Sequence, residues 1–478
     1  MMNLFVNGDA ILNFSERFSS MKGKRVAVLG FGVSNRPLAE MLAGAGALVT
    51  VRDKGIKSHD ELAGYEQMGI RFIMGDGYLD ALDEEIIFKT PGIRADTPQI
   101  RAAVEAGALL TSEMQLFSDC APCTVIGITG SDGKTTTTTL TAEMLRASGA
   151  GVFLGGNIGK PLLPEISNMN KDDFAVVELS SFQLQTMKSS PDRSVITNIT
   201  PNHLDYHADM REYIDAKMKI LDFQKSNSLA VLNYDDENTV RALERVRGRA
   251  VVFSARTVPP EDLRTPEGGK VTRIFLRDGA IYKEQKKILP VKDIKIPGVH
   301  NVMNYMAAIG VLDGIVSEET VLSVARSFGG VEHRIEFVRR FNGVDYYNSS
   351  IDSSPTRTMA ALSSFDKKVI AILGGYDKKI PYDVLGEPLC RSTKAVILTG
   401  ATADKIKKAV LSSFAYSEGC PAIFEEPDYR SAVLRARDIA EEGDTVLLSP
   451  ASASFDSFKN FEERGRFFKQ MVNDFGKA

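Results

Sequence analysis

The chain has 478 residues, 43% of them apolar and 25% charged, with a formal net charge of −4. That balance excludes a disordered chain and offers no basic excess to nucleic acid or an anionic membrane. No run reaches the ~18 apolar residues of a membrane span, the N-terminus lacks a charged stretch leading into an apolar one, and four cysteines are too few for a disulfide framework, so a cytoplasmic protein without membrane insertion is expected.

The first strand reads KRVAVLG, Lys24–Gly30, and an alanine-rich helical stretch leads to a second strand ending at Asp53. Together they make a βαβ unit. The turn Gly30-Phe31-Gly32-Val33-Ser34-Asn35 resembles a dinucleotide fingerprint whose third glycine is replaced by Asn35. Its helix N-terminus suits any nucleotide diphosphate. After the short strand EEIIF, Lys89-Thr90-Pro91-Gly92-Ile93 is a second turn that either faces the same ligand or is a tight turn and nothing more. Cys120 and Cys123 form a CxxC with no second pair nearby, which favours ordinary thiols over a metal or redox site.

A second unit opens with CTVIGITG, Cys123–Gly130, and runs through Thr129-Gly130-Ser131-Asp132-Gly133-Lys134-Thr135-Thr136 into a helix closed by Gly149. Strand, glycine turn and helix in that order make a phosphate loop. Backbone N–H groups and the helix N-terminus cradle phosphate oxygens, Lys134 adds a full charge, and the Thr135 hydroxyl suits Mg²⁺. The strict P-loop pattern fails at Ile128, where its first glycine would stand. Downstream, Glu178 ends the strand FAVVELS, at the carboxyl edge where doubly wound sheets hold ligands. A strand Ser194–Thr200 precedes the loop TPNHLD with His203, and His207 follows four residues on. The pair reads either as metal ligands on a helix or as structural histidines. Lys217, in YIDAKMKIL, reads by itself as a solvated helical lysine. After the strand LAVLN, residues 250–297 turn rich in charge, Pro and Gly, with short alternating strands, as a small β excursion would.

A third α/β unit shows in Lys368–Gly375, Ala395–Gly400 and Asp444–Ala451. The small-residue turn Ser449–Asp456, between strand and helix, again makes an anion-binding backbone, and His333-Arg334 and Asn348–Arg357 add polar clusters. With boundaries near 118 and 331, the expected fold is α/β, three doubly wound domains covering 1–118, 119–331 and 332–478: Rossmann-like, P-loop ATPase and Rossmann-like.

Over nearly the whole chain these motifs resemble the Mur ligases, most closely the branch that joins D-glutamate to UDP-N-acetylmuramoyl-L-alanine. TGSDGKTTT is similar to the family's GTNGKT-type loop. The resemblance implies ATP contacts at Gly130, Ser131, Asp132, Gly133, Lys134, Thr135 and Thr136, extended by Asn301 in GVHNVMN and by His333 and Arg334 in EHRIE. It implies Mg²⁺ ligation by Thr135, Glu178, His203 and Lys217, the last as a carbamate formed with CO₂. Catalysis then falls to Lys134, Glu178, His203 and Lys217. Gly32, Ser34, Asn35, Asp53, Lys54, Thr90, Pro91, Gly92 and, from GGNIG, Asn157 would hold the UDP-sugar. Lys378, Ser454, Phe455 and Phe461 would hold D-glutamate. The segment 348–357 departs from the family's commonest N-D-S-K-A-T-N run: Ser349 replaces the Asp and Ile351 the Lys. Arg357 would supply the missing charge for D-glutamate, and Asp352 would stand in for the lost acid.

The implied enzyme is a cytoplasmic, monomeric ligase of peptidoglycan precursor synthesis that takes ATP, UDP-N-acetylmuramoyl-L-alanine and D-glutamate through an acyl phosphate. The alternatives are a related Mur or folylpolyglutamate-type ligase with another acceptor or amino acid, a UDP-muramyl-binding protein without turnover, and a dehydrogenase, which would leave the phosphate loop idle.

Overall fold

The computed structural model describes residues 14–201 and 206–477. Three sheets account for its strands. The first contains β1 (Arg25–Leu29), β2 (Leu48–Asp53), β3 (Arg71–Met74), β4 (Ile86–Lys89) and β5 (Leu109–Thr111), all parallel, in the order β3-β2-β1-β4-β5. Chain direction across the sheet reverses between β1 and β4, and the turns after these two strands open at that crevice.

The second sheet contains β6 (Thr124–Thr129), β7 (Val152–Gly156), β8 (Phe174–Glu178), β9 (Arg193–Ile196), β10 (Leu229–Asn233), β11 (Arg249–Ser254), β12 (Thr272–Arg277), β13 (Ala280–Lys283) and β14 (Lys286–Pro290). Its order is β14-β13-β12-β11-β10-β9-β6-β8-β7. From β7 to β12 the strands run parallel, and β13 and β14 continue antiparallel. Strands covered on both faces must be apolar throughout, and from Val125 to Thr129 β6 is buried without a break. The expected β excursion at 250–297 is therefore the far edge of this sheet. The strand expected at 194–200 stops at Ile196. The Thr197 amide makes the last bond to β6, at Thr129 O, and beyond it Asn198 turns its groups to the phosphate loop.

The third sheet contains β15 (Glu336–Phe341), β16 (Val344–Asn348), β17 (Val369–Gly374), β18 (Thr393–Thr399), β19 (Ala422–Glu425) and β20 (Thr445–Leu448), in the order β15-β16-β20-β17-β18-β19. Only β15 is antiparallel to its neighbour.

The described residues fall into two compact units. One runs up to Val291 and includes Val302–Val324; the other joins Lys292–Asn301 to the residues from Ala325 onward. The first and second sheets share one unit because they share a core. The helix Glu113–Cys120 buries Met114, Leu116, Phe117 and Cys120 among residues of both sheets.

Arg52, on β2, is 3% exposed and pairs with the buried Glu84 through Nε to Oε1 at 2.9 Å and Nη2 to Oε2 at 3.2 Å. It also donates to the carbonyls of Tyr78, Asp80 and Ala81. Removing one member of such a pair strands a buried charge, at a cost of about 3–5 kcal/mol. Glu84→Ala is expected to destabilise the first sheet by that amount, read as lost hydrogen-exchange protection in β1 and β2.

Candidate active site

The phosphate loop connects β6 to the helix Lys134–Ala147. Gly130 has φ +146°, and a Cβ there would lie 1.9 Å from the Thr197 hydroxyl. Gly133, at φ +77°, caps the helix, and a Cβ there would lie 2.4 Å from Asn304 Oδ1. Both positions require glycine. The segment after β9 braces the loop: the Ser131 amide donates to Asn198 O, the Asp132 amide to Asn198 Oδ1, and Thr197 Oγ1 to Asp132 O. Lys134 Nζ lies across the turn, 2.8 Å from Gly130 O and 2.7 Å from Ser131 O.

Glu178, 2% exposed at the end of β8, meets the loop from the neighbouring strand. Thr135 Oγ1 donates to its Oε2 at 2.8 Å, and Asn157 Nδ2 donates to its Oε1 at 2.9 Å. Hydroxyl and carboxylate oxygens side by side are hard donors of the kind that hold Mg²⁺ together with substrate phosphates. Among the described residues no three His, Cys, Asp or Glu gather as a metal cage. The Thr135 hydroxyl and the Glu178 carboxylate fit an ion shared with phosphate.

Lys217 overturns the expectation of a solvated helical lysine. It sits on the buried face of the helix Met210–Asp222 and is 2% exposed. Its Nζ donates to Gly130 O at 2.7 Å and lies 4.7 Å from the centre of the Tyr213 ring. Burial, and then the neighbouring Lys134 ammonium, push its pKa down to about 6. The amine is therefore mostly neutral at pH 7, with a free lone pair.

His203 lies outside the described residues. His207 precedes the helix Met210–Asp222, its Nε2 is hydrogen-bonded to Ser181 Oγ at 2.9 Å, and its ring packs against Phe182 and Tyr213.

In the first sheet the structure brings the two expected turns together; Thr90 stands against Gly30. Asp53 serves its own crevice, with Oδ2 accepting from the Phe31 amide at 2.5 Å and Oδ1 from the Gly55 amide at 2.7 Å. Asn35, 4% exposed, donates to the carbonyls of Leu29 and Gly30. It takes the place of a third glycine by tying strand to helix. Gly32, Gly92 and Lys54 are exposed, while Ser34, Thr90 and Pro91 are partly so. Cys120 and Cys123 are free buried thiols whose pKa values burial raises to about 12 and about 11, so neither is a reactive thiolate.

In the C-terminal unit, Arg357 is exposed and its Nη1 donates to Ile351 O at 3.1 Å. Asp352 is buried and accepts from Ser449 Oγ at 2.8 Å; burial pushes its carboxyl up to about 6, against Arg334 and Arg357. Ser454 is buried, while Phe455 and Lys378 are exposed. The Tyr376 amide donates to Ala453 O at 2.9 Å, which joins the turn of Lys378 to the loop of Ser454. His333 is buried, with Nδ1 2.9 Å from Asn348 Nδ2 and its ring edge-on to Phe461. Asn301 Nδ2 donates to Pro297 O at 2.6 Å.

Sequence reading missed Arg464. It is fully buried and donates to Ser350 Oγ and O, Ser452 O, Ala453 O and Tyr429 Oη. One guanidinium thus holds the 348–352 segment against the 452–455 loop. An arginine one turn into an amphipathic helix carries no sequence signal for this.

Residues 128–312 match the Mur ligase middle domain, and residues 333–452 match the Mur ligase, glutamate ligase domain. The chain is 46% identical to the UDP-N-acetylmuramoylalanine--D-glutamate ligase of Acetivibrio thermocellus, with 95% of this chain and 97% of that one covered. It is 45% identical to the Clostridium botulinum protein of the same name, over 96% and 99%. In fold it is similar to UDP-N-acetylmuramate-alanine ligase MurC from Thermotoga maritima (TM-score 0.54, 19% identity, 94% and 99% covered). A UDP-N-acetylmuramoyl-L-alanyl-D-glutamate--2,6-diaminopimelate ligase gives a TM-score of 0.55 at 16% identity, over 95% and 94%. The chain belongs to the Mur ligase family.

The depressed Lys217 pKa has a thermodynamic signature. Between about 6 and the ordinary value of 10.5 the unfolded chain carries a proton that the folded one does not. Stability therefore rises with pH in this window, by up to about 1.4 kcal/mol per unit. Relative to Lys217→Met, the wild-type chain is expected to gain up to about 2–3 kcal/mol between pH 6.5 and 8.5, measured by urea unfolding in CO₂-depleted buffer.

Proposed function

We propose that this Mur ligase joins D-glutamate to UDP-N-acetylmuramoyl-L-alanine at the expense of ATP, in the cytoplasm, as a step in making peptidoglycan precursor. The observation that carries the reading is the convergence of Lys134, Lys217, Thr135 and Glu178 on one phosphate loop. The full-length likeness to ligases named for this reaction supports the choice of substrates. The proposed division of labour follows the sheets: residues 1–118 take the UDP-sugar, 119–331 ATP and 332–478 the amino acid.

A carboxylate is a poor electrophile, so the alanyl carboxylate first attacks the γ-phosphate of ATP, the bond to the bridging oxygen breaks, ADP leaves, and an acyl phosphate is formed. The D-glutamate amine then attacks the acyl carbon, and phosphate leaves from the tetrahedral intermediate. Gly130–Thr136 amides and Lys134 hold and neutralise the phosphates. Thr135, Glu178, His203 and Lys217 would hold Mg²⁺, which when bound offsets the negative charge on the transferring phosphoryl group. The neutral Lys217 amine has the lone pair needed to add CO₂ with loss of a proton to solvent, and the resulting carbamate would supply oxygen donors where an amine has none. Gly32, Ser34, Asn35, Asp53, Lys54, Thr90–Gly92 and Asn157 make up the UDP-sugar site, Asp53 and Asn35 by shaping its turn. The family likeness extends the nucleotide contacts to Asn301, His333 and Arg334. Arg357, Lys378 and the Ser454–Phe455 backbone, with Phe461, take D-glutamate.

The test is phosphate release from ATP with UDP-N-acetylmuramoyl-L-alanine and a panel of D- and L-amino acids. Release dependent on D-glutamate alone is expected. Preference for another amino acid would assign a sister ligase, and no release a binding protein. Lys134→Ala should fold and lose at least ~10²-fold in turnover. Lys217→Ala should be nearly inactive and regain activity with millimolar short carboxylic acids, while Lys217→Glu retains more. A planar guanidinium holds a carboxylate bidentately, and truncating such a pair costs ~2–5 kcal/mol. Arg357→Ala should therefore raise the KM for D-glutamate at least ~10-fold and leave that for ATP little changed; equal glutamate kinetics would make Arg357 a surface residue only.

A further inference from the structure

The turn Thr90–Gly92 and the phosphate loop are joined by a continuous set of polar and aromatic contacts that no step of the reaction uses. Tyr206 Oη donates to the carbonyls of Pro91 and Ile93, at 3.2 and 3.3 Å. Arg94, the next residue along the turn, donates to Tyr206 O, lies 5.3 Å from the centre of the Tyr206 ring, and reaches Glu212 Oε1 at 3.2 Å. Asp96 holds the guanidinium through Nε and Nη2 at 2.8 and 2.7 Å. Glu212 stands in the first turn of the helix Met210–Asp222 that carries Lys217, and it also accepts from Gln185 Nε2 at 2.7 Å and the Ala208 amide at 2.6 Å. From Tyr206 the contacts pass to His207, at 5.2 Å between ring centres, and from His207 to Tyr213, at 5.3 Å. Tyr213 ends the path twice: its hydroxyl shares a 2.9 Å hydrogen bond with Ser131 Oγ in the phosphate loop, and its ring lies under Lys217 Nζ.

We infer that Arg94 and Tyr206 are positioning residues that couple occupancy of the Thr90–Gly92 turn to the geometry of the phosphate loop and Lys217. On the turn side Tyr206 bonds to backbone carbonyls and Arg94 directly continues the turn, so a ligand that settles the turn settles where Tyr206 and Arg94 sit. On the other side the contacts are to the first turn of the helix bearing Lys217 and, through two packed rings, to Ser131. Packed elements joined in this way transmit displacement rather than absorb it. In sequence Tyr206 also follows directly on residues 202–205, which include His203. The inference rests on the assignment of the turn to the UDP-sugar and of the loop to nucleotide.

The experiment measures binding without turnover. The affinity of the full-length protein for a Mg²⁺ complex of a non-hydrolysable ATP analogue is determined by calorimetry, with and without saturating UDP-N-acetylmuramoyl-L-alanine, in wild type, Arg94→Gln and Tyr206→Phe. Tyr206→Phe removes only the hydroxyl bonds to the turn. In wild type the acceptor is expected to tighten the analogue at least ~5-fold, the lower end of ordinary coupling between sites. Both variants should bring that ratio below ~2, with analogue affinity in the absence of acceptor unchanged within ~2-fold. A merely structural role would lower the melting temperature and keep the ratio, and that result overturns the inference. So does a ratio of one in wild type when both ligands bind. Failure of wild type to bind the UDP-sugar at all would instead remove the assignment of the turn, and the inference with it.

Discussion

The carbonyl oxygen of Gly130 accepts from two lysines, Lys134 at 2.8 Å and Lys217 at 2.7 Å. Two ammonium groups cannot share one buried oxygen without a large repulsion. Lys134 lies in the partly exposed turn and Lys217 is buried behind it, so it is Lys217 whose proton is disfavoured. Much else in the second sheet follows from holding that oxygen in place. Gly130 takes a φ that glycine tolerates, the Thr197 hydroxyl and Asn198 brace the loop, and Tyr213 covers Lys217 from its own helix.

Each sheet uses its strand ends differently. In the first, Asp53 and Asn35 spend their side chains on backbone groups of the turn they border, so the turn's shape is fixed by neighbours rather than by its glycines alone. In the second, Glu178 is satisfied on both oxygens by Thr135 and Asn157, which lets a carboxylate be buried at a strand end without an unpaired charge. In the third, one buried guanidinium, Arg464, satisfies carbonyls from two loops. Its charge is dispersed over neutral dipoles, a costlier arrangement than a salt bridge and one that orders both segments.

The sequence made the local grammar plain. β1, β6, β8, β10 and β17 lie where apolar runs end in glycine turns or polar residues, and the phosphate loop stands where the pattern put it despite Ile128. What could not be read was any property created by distance in the chain. Lys217 looks solvated on its own helix because the phosphate loop that takes its amine, at Gly130 O, lies 87 positions away; Tyr213, one turn back on the same helix, closes over it. Arg464 and Arg94 are ordinary surface residues by pattern; the partners of Arg464, and Tyr206 and Glu212 for Arg94, lie on other elements. Strand β9 looked longer than it is because Thr197–Thr200 have strand-forming residues, but Asn198 and Thr200 bond to the loop and Ile199 to Asp236 instead.

The parallel connectivity of the second sheet also dictates when the site can exist. Thr135 and Glu178 are 43 positions apart, Asp132 and Asn198 are 66, and Gly130 and Lys217 are 87. None of these contacts can form before β8, β9 and the helix Met210–Asp222 have docked beside β6, and each closure must meet its loop entropy first. A growing or refolding chain therefore holds a glycine-rich turn with no fixed shape long before it holds a nucleotide site. The ability to grip phosphate is a late property of the folding unit, and a nucleotide can stabilise only chains that have already completed it.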